Sequence, residues 1–188
     1  MSLYLTAILP PTALSEEIDD IRKEISARFN VFSALKPPVH ITLFRPLNVE
    51  TSLEKHLIKW LKPITLLHKP FAIELENFDS FNNKTLFVHC IKNPLLQALQ
   101  KDISGIFNTN KVCREELSGN NRFHPHITVA FRDVKPEVFD QLWLEFKNRK
   151  LKRSFIADRV SLLKHDGRKW NLMTEFILQK GDELRLFE

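Results

Sequence analysis

Cysteine is nearly missing from this chain: Cys90 and Cys113 are the two thiols in 188 residues. They form no C-x-x-C pair, which excludes a disulfide framework and a cysteine-built metal site, and they read as buried thiols of a reducing compartment. Long apolar runs are missing too. No stretch approaches the roughly 18 residues a membrane span needs. The opening MSLYLTAILPP carries a short apolar run with no basic flank or small-residue cleavage site, and Pro10 and Pro11 stop it, so it reads as a first strand rather than a leader. A cytoplasmic protein without membrane attachment is expected. Charge is not strongly one-sided: 28 Lys and Arg stand against 23 Asp and Glu, a formal net charge of +5 that only weakly favours anionic partners. The densest basic run, Lys147, Arg149, Lys150, Lys152 and Arg153, follows a helical segment and reads first as a solvated face or loop.

What the chain does have is enough apolar material, 43% of its residues with 15 Phe among them, to bury a core without staples. Its patterning alternates between the two periods of regular structure. Residues 4–9 read as a strand; Ser15 caps a helix carrying Ile18, Ile21, Ile25 and Phe29 on one face. Pro37-Pro38 force an extended lead into a strand at 39–44, followed by a helix at 51–61 and a strand at 71–75. The order then recurs: strand 85–91, helix 94–107 opened by Asn93-Pro94, strand 126–131, helix 136–146 and strand 155–163. A last strand at 170–178 follows the turn at Asp166-Gly167.

The recurrence has a measurable step. His126 lies 86 residues after His40, Pro136 lies 85 after Thr51, and Phe155 lies 84 after Phe71. One unit of strand, helix, strand, helix and strand used twice implies a single two-lobed domain, divided at about residue 80, with an approximate two-fold axis and one motif per lobe facing a shared cleft.

Those motifs are His40-Ile41-Thr42 and His126-Ile127-Thr128. Residues i and i+2 of a strand share a face, so each strand presents one imidazole and one hydroxyl while its aliphatic residues anchor it in the core. With seven His and nine Thr in the chain, about 0.3 H-x-T triplets arise by chance, so one alone says little. Two, both H-I-T-aliphatic and both at equivalent points of the repeat, are far harder to dismiss as structural histidines beside β-forming threonines.

Two H-x-T-hydrophobic motifs about 85 residues apart in a chain of this length resemble the two-histidine phosphoesterase superfamily, which includes the RNA 2′,3′-cyclic phosphodiesterases, also called 2′-5′ RNA ligases. The likeness covers most of the chain, with Val160-Ser161-Leu162-Leu163 through Gly167 to Trp170 and Phe176 resembling secondary landmarks of that family. The resemblance implies a bilobal α+β fold with two antiparallel sheets lining a central groove and helices outside. It also implies catalysis by His40, Thr42, His126 and Thr128, His40 as general acid and His126 as general base, with the reverse left open by the likeness of the motifs. Opening a cyclic phosphodiester needs one base, one acid and donors for the non-bridging oxygens; two imidazoles titrating near 6.5 and two hydroxyls supply them with no metal or other cofactor.

Substrate contacts are less sharply drawn. The family commonly carries a basic residue five positions after the second histidine; here Phe131 stands there and Arg132 follows, on the face of His126 if the strand continues. Arg45 falls on the wrong face unless Pro46 or a bulge re-aims it, and Phe44, alternating with His40, and Phe123 are candidates to stack on a base, with core packing the plain alternative. His124 and His126 could chelate a metal with His40, but no Asp, Glu or Cys cluster accompanies them. The expected partners are RNA ends or nucleotide 2′,3′-cyclic phosphates, with no obligate protein partner. Two rivals stand beside this reading: a binding module with the same groove and no turnover, and a phosphodiesterase of small cyclic phosphates such as that of ADP-ribose.

Overall fold

Prolines mark the joints of the chain. In the computed structural model, which describes residues 1–110 and 123–179, β1 (Ser2–Ile8) stops before Pro10-Pro11 and α1 (Thr12–Phe29) starts directly after them. Ser15 is therefore not the cap: its amide donates to the Pro11 carbonyl at 2.9 Å and its hydroxyl to the Pro10 carbonyl at 3.0 Å. A proline's fixed φ suits the position ahead of a helix, so the turn forms four residues earlier than the serine signal suggests. Asn30, left-handed at φ 56°, ends α1 with its amide on the Ser26 carbonyl.

β2 (Ile41–Val49) runs on through Pro46, beyond the expected end at residue 44. It can do so because β2 is an edge strand, where a missing N–H costs the ladder nothing. α2 (Glu54–Leu66) likewise passes through Pro63, held by its buried Leu57, Leu61 and Ile64. β3 (Phe71–Phe81) is twice its expected length. A bulge at Asn77, φ 57°, shifts its register after Leu75 and returns Phe78 to the core. β4 (Thr85–Cys90), α3 (Pro94–Thr109), β5 (His126–Ala130) and α4 (Pro136–Phe146) fall close to their expected places, α3 capped by Asn93 through the amides of Leu95 and Leu96 at 2.9 and 3.2 Å. Cys113 lies outside the described residues.

The segment expected as one strand at 155–163 is two. β6 (Lys152–Ala157) pairs with β3, the chain turns at Asp158, and β7 (Arg159–His165) pairs with β1 and with β8 (Trp170–Ile177). Among the described residues the result is an α+β fold of two four-stranded antiparallel sheets, ordered β2-β1-β7-β8 and β5-β4-β3-β6, with four α-helices. Each motif strand is the edge of its sheet, beside the first strand of its own half. Each sheet nevertheless takes strands from both halves: β3 has crossed to the sheet of β4 and β5, and β7 to that of β1 and β2. A division near residue 80 therefore does not separate one sheet from the other.

The helices cross in the same sense, α1 packing against β5 and α3 against β2. One core joins both sheets and all four helices, with Phe44 against Phe107 at 4.6 Å between ring centroids and Phe78 edge-on to Phe146 at 5.0 Å. Each such fully buried Phe contributes about 1.5–3 kcal/mol. Leu5, Ala7 and Leu163, flanked by Leu9 and Trp170, form a second, smaller cluster on the other face of β1 and β7. Three ion pairs hold α1 down: Arg153 on Glu17 at 2.7 Å, Arg149 on Glu24 at 2.9 Å, and Arg28 on Glu145. Part of the basic run around 150 is thus tied into the fold.

Candidate active site

His40 is the last residue before β2, and its Nδ1 lies 2.7 Å from the carbonyl of Pro38, two residues back. His126 opens β5 with its Nδ1 2.7 Å from the carbonyl of His124, also two residues back. A carbonyl can only accept, so in each neutral ring the proton sits on Nδ1 and Nε2 carries the lone pair. The same local bond thus sets the tautomer of both imidazoles.

Their surroundings shift both below the ordinary imidazole value. Burial pushes His40 down to about 4; the Pro38 carbonyl partly opposes this, and the charges of Arg22 and His126 add to it. Burial also lowers His126, partly opposed by the His124 carbonyl and aided by the His124 charge. The strands that carry the two rings, β2 and β5, touch, and with both lowered the rings are neutral at pH 7. Thr42 pairs with Ala7 on β1, and Thr128 with Phe87 on β4, each two residues beyond its histidine and half-buried. Two proton acceptors and two hydroxyl donors on adjoining edge strands are a set that can move protons around an anionic centre.

Several neighbours escaped the sequence reading. Phe87, fully buried, lies 5.0 Å from the His126 ring; Phe81 stacks on Phe87 at 4.2 Å and meets His126 edge-on at 5.0 Å. His124 sits against Phe81 at 5.1 Å and 5.7 Å from His89, which pairs across the sheet with His126 and has a buried Nδ1 without a hydrogen-bond partner. The alternation Phe87, His89 on a strand beside the second motif was the available signal. Arg22 is the other omission. It is 1% exposed and forks onto the Thr128 carbonyl through Nε at 3.0 Å and Nη2 at 2.8 Å, while Nη1 reaches the Pro37 carbonyl at 3.2 Å and Asp19 at 3.1 Å. One arginine inside the apolar stripe of Ile18, Ile21 and Ile25 marked it.

The expected substrate contacts fare unevenly. Phe44 is corrected: a register shift between its pair with Thr6 and the pair of Thr42 with Ala7 leaves Leu43 over, so Phe44 turns into the core against Phe107, 4% exposed. Arg45, next along the strand and exposed, falls within a second register shift, between the pairs of Thr6 with Phe44 and of Tyr4 with Leu47. The alternation expected for Arg132 is also corrected. β5 ends at Ala130, and Arg132 stands in a left-handed turn, φ 66°, with its guanidinium 5.2 Å from the Phe131 ring. Phe123 packs half-buried against the main core. Among the described residues no group of three or more His, Cys, Asp or Glu is placed to hold a metal ion. Nor is any helix among them long and apolar enough to cross a membrane.

Residues 10–169, which include both motifs, match the 2′-5′ RNA ligase superfamily. The chain belongs to that superfamily. Its relatives include "Putative phosphoesterase OB1230" of Oceanobacillus iheyensis, 22% identical over 179 residues that cover 93% of this chain and 97% of that one. "Putative phosphoesterase ABC1741" of Shouchella clausii is 28% identical over 171 residues, 89% and 95% of the two chains. Among solved structures, TT0787 of Thermus thermophilus superposes with a TM-score of 0.71 at 16% identity, over 97% of this chain and 100% of that one. LigT of E. coli, complexed with 3′-AMP, superposes with 0.66 at 17% identity, over 95% and 99%. At such identities the structural likeness speaks for the superfamily's fold.

Proposed function

We propose that this member of the superfamily hydrolyses 2′,3′-cyclic or 2′-5′ phosphodiesters of RNA ends or nucleotides by metal-independent acid–base catalysis between His40 and His126. The observation that carries this is the matched pair of imidazoles, each fixed through Nδ1 to the carbonyl two residues back, at the starts of two edge strands, β2 and β5, that touch. One Nε2 takes a proton from water as its oxygen attacks phosphorus. The other ring, protonated, gives its proton to the departing ribose oxygen, leaving a phosphomonoester and a free hydroxyl. Thr42 and Thr128 donate to the non-bridging oxygens. Arg45, exposed three residues beyond Thr42, and Arg132 are the arginine candidates for the phosphate. The names of the relatives and the 3′-AMP held by LigT agree with a nucleotide phosphoester as substrate.

Since both rings are neutral in the free protein, the acid acquires its proton with the anion, whose charge raises the imidazoles it sits between. The family resemblance gives the donor role to His40. The reverse has one point in its favour: burial keeps His40 unprotonated down to about pH 4, the form a general base needs, which leaves His126 as donor.

The test is turnover of 2′,3′-cyclic mononucleotides, 2′-5′ linked oligonucleotides and cyclic-phosphate-ended RNA by wild type and by His40→Ala and His126→Ala. Hydrolysis of at least one by wild type, lost in both variants, is expected. Tight binding without turnover on the whole panel would leave a binding module using the same surface.

A further inference from the structure

We infer that Arg22 is a positioning residue that makes the two like motifs unequal, by tying the lead-in of His40 to the strand of Thr128 and by fixing a buried positive charge beside His40. This rests on the proposed function for its meaning, though its geometry stands apart from it. β2 and β5 are edges of different sheets, so no backbone ladder sets the spacing between the motifs. Arg22 takes that place. Its fork closes on the Thr128 carbonyl at 3.0 and 2.8 Å, and Nη1 reaches the carbonyl of Pro37 at 3.2 Å. Pro37 precedes Pro38, whose carbonyl orients the His40 ring. A shift of α1 would therefore move both motifs, and positional errors of about 1 Å cost turnover up to 10²-fold.

Among its described residues the other half has no such residue. α3 crosses β2 as α1 crosses β5, yet its buried side chains are Leu96, Leu99, Ile103 and Phe107. A hydrophobic residue at position 22 would fit the stripe of α1 without the desolvation a guanidinium incurs. Among the described residues Arg22 has one carboxylate, Asp19, itself 39% exposed; its other acceptors there are neutral carbonyls. Among the described residues, the charged or titratable groups acting on His40 are Arg22 from α1 and His126 from β5, whereas the one acting on His126 is His124. Burial is the larger cause of the lowered His40, and Arg22 adds to it a contribution that His126 lacks and that comes from outside both motifs.

The experiment follows histidine ring signals by NMR against pH in wild type, Arg22→Met and Arg22→Lys, together with kcat, KM and the pH–rate profile on the substrate found above. Arg22→Met removes fork and charge: His40 should titrate at higher pH, His126 should move less, and kcat should fall by about 10²-fold with KM within a few-fold. Arg22→Lys keeps the charge and loses the fork, so the His40 titration should stay low while kcat still falls. A folded Arg22→Met with an unshifted His40 titration, or kcat within about twofold of wild type in both variants, would overturn the inference. If Arg22→Met does not fold, Arg22→Lys decides alone through its kcat. Absence of turnover on every substrate counts against the proposed function, while the titrations still test Arg22.

Discussion

The two motifs share a sequence and a hydrogen bond, but they sit in unlike company. Around His126 and Thr128 the sheet is aromatic: Phe87 lies opposite Thr128, Phe81 stacks on it, and His124 and His89 crowd the same corner. Around His40 and Thr42 it is small. Ala7 lies opposite Thr42, Ser161 opposite Ala7 on the next strand, and Glu175 opposite Ser161, while Arg22 brings charge from the helix. A repeated strand thus carries like side chains whose chemistry is differentiated by their neighbours, as the unequal lowering of the two imidazoles shows. Acid and base roles in one reaction need opposite protonation states, which unlike surroundings favour.

The largest effect should come from removing either imidazole. His40→Ala and His126→Ala are each expected to lower turnover by roughly 10²–10⁴-fold with folding retained. A substrate with a good leaving group, such as a p-nitrophenyl phosphodiester, sharpens the comparison. The variant lacking the acid should recover most of its rate on it and the variant lacking the base should not. Equal recovery in both would mean that the two motifs are not divided into acid and base.

How far this inequality could be read in advance depends on the distance over which each feature is set. Elements fixed by neighbouring residues were legible: α4 begins at Pro136 and ends at Phe146 as its apolar spacing predicts, and Asn93-Pro94 opens α3. The motif strands were legible because His-x-Thr on a β-period needs no partner to be recognised. Features decided by a partner strand or a distant helix were not. Phe44 faces the core because β2 slips its register against Thr6 and Ala7, which alternation alone cannot reveal. The change of sheet at Asp158 depends on β3 and β1 being available on either side, and its local pattern reads as one continuous strand. Arg22 acts on Thr128, 106 residues away.

The next effect tests the aromatic side. Phe87→Ala empties a fully buried position that touches Phe81 and His126, and is expected to cost about 3–5 kcal/mol in urea unfolding. The opposite change on the small side, Ala7→Val, adds volume at a fully buried site and should cost about 1–3 kcal/mol. A smaller loss for Phe87→Ala than for Ala7→Val would mean that the aromatic cluster does not brace the second motif.

A third effect separates the histidines by pH. His40 binds its proton at about 4 in the folded chain and near 6.5 when unfolded. Between those values the unfolded state holds more protons, so this contribution to stability is complete above about pH 6.5, is lost as pH falls, and levels off below about 4, by up to about 3 kcal/mol. His126 acts with the same sign. His40→Gln should therefore flatten the rise of the urea midpoint between pH 4 and 6.5 more than His126→Gln does. Equal flattening would mean that Arg22 and burial do not distinguish the rings.

The smallest effect concerns the hydroxyls. Each threonine supplies one neutral donor, and a net hydrogen bond of about 0.5–1.5 kcal/mol corresponds to a loss of roughly 2- to 10-fold in kcat for Thr42→Ala or Thr128→Ala. The two should not be equal. Both threonines adjoin a register slip on an edge strand, at Leu43 and at Val129, but among the described residues only the Thr128 carbonyl is held by the Arg22 fork, so its hydroxyl is presented from the more firmly fixed backbone. A donor already in place for the transition state is worth more than one that must be ordered during the reaction. Thr128→Ala should accordingly lie near the upper end of that range and Thr42→Ala near the lower, both in kcat rather than KM. In an Arg22→Lys background the difference should shrink, because the fork that distinguishes the two backbones is gone. If the larger loss falls on Thr42→Ala, or the difference persists without the fork, the ordering of the second motif has another cause than Arg22.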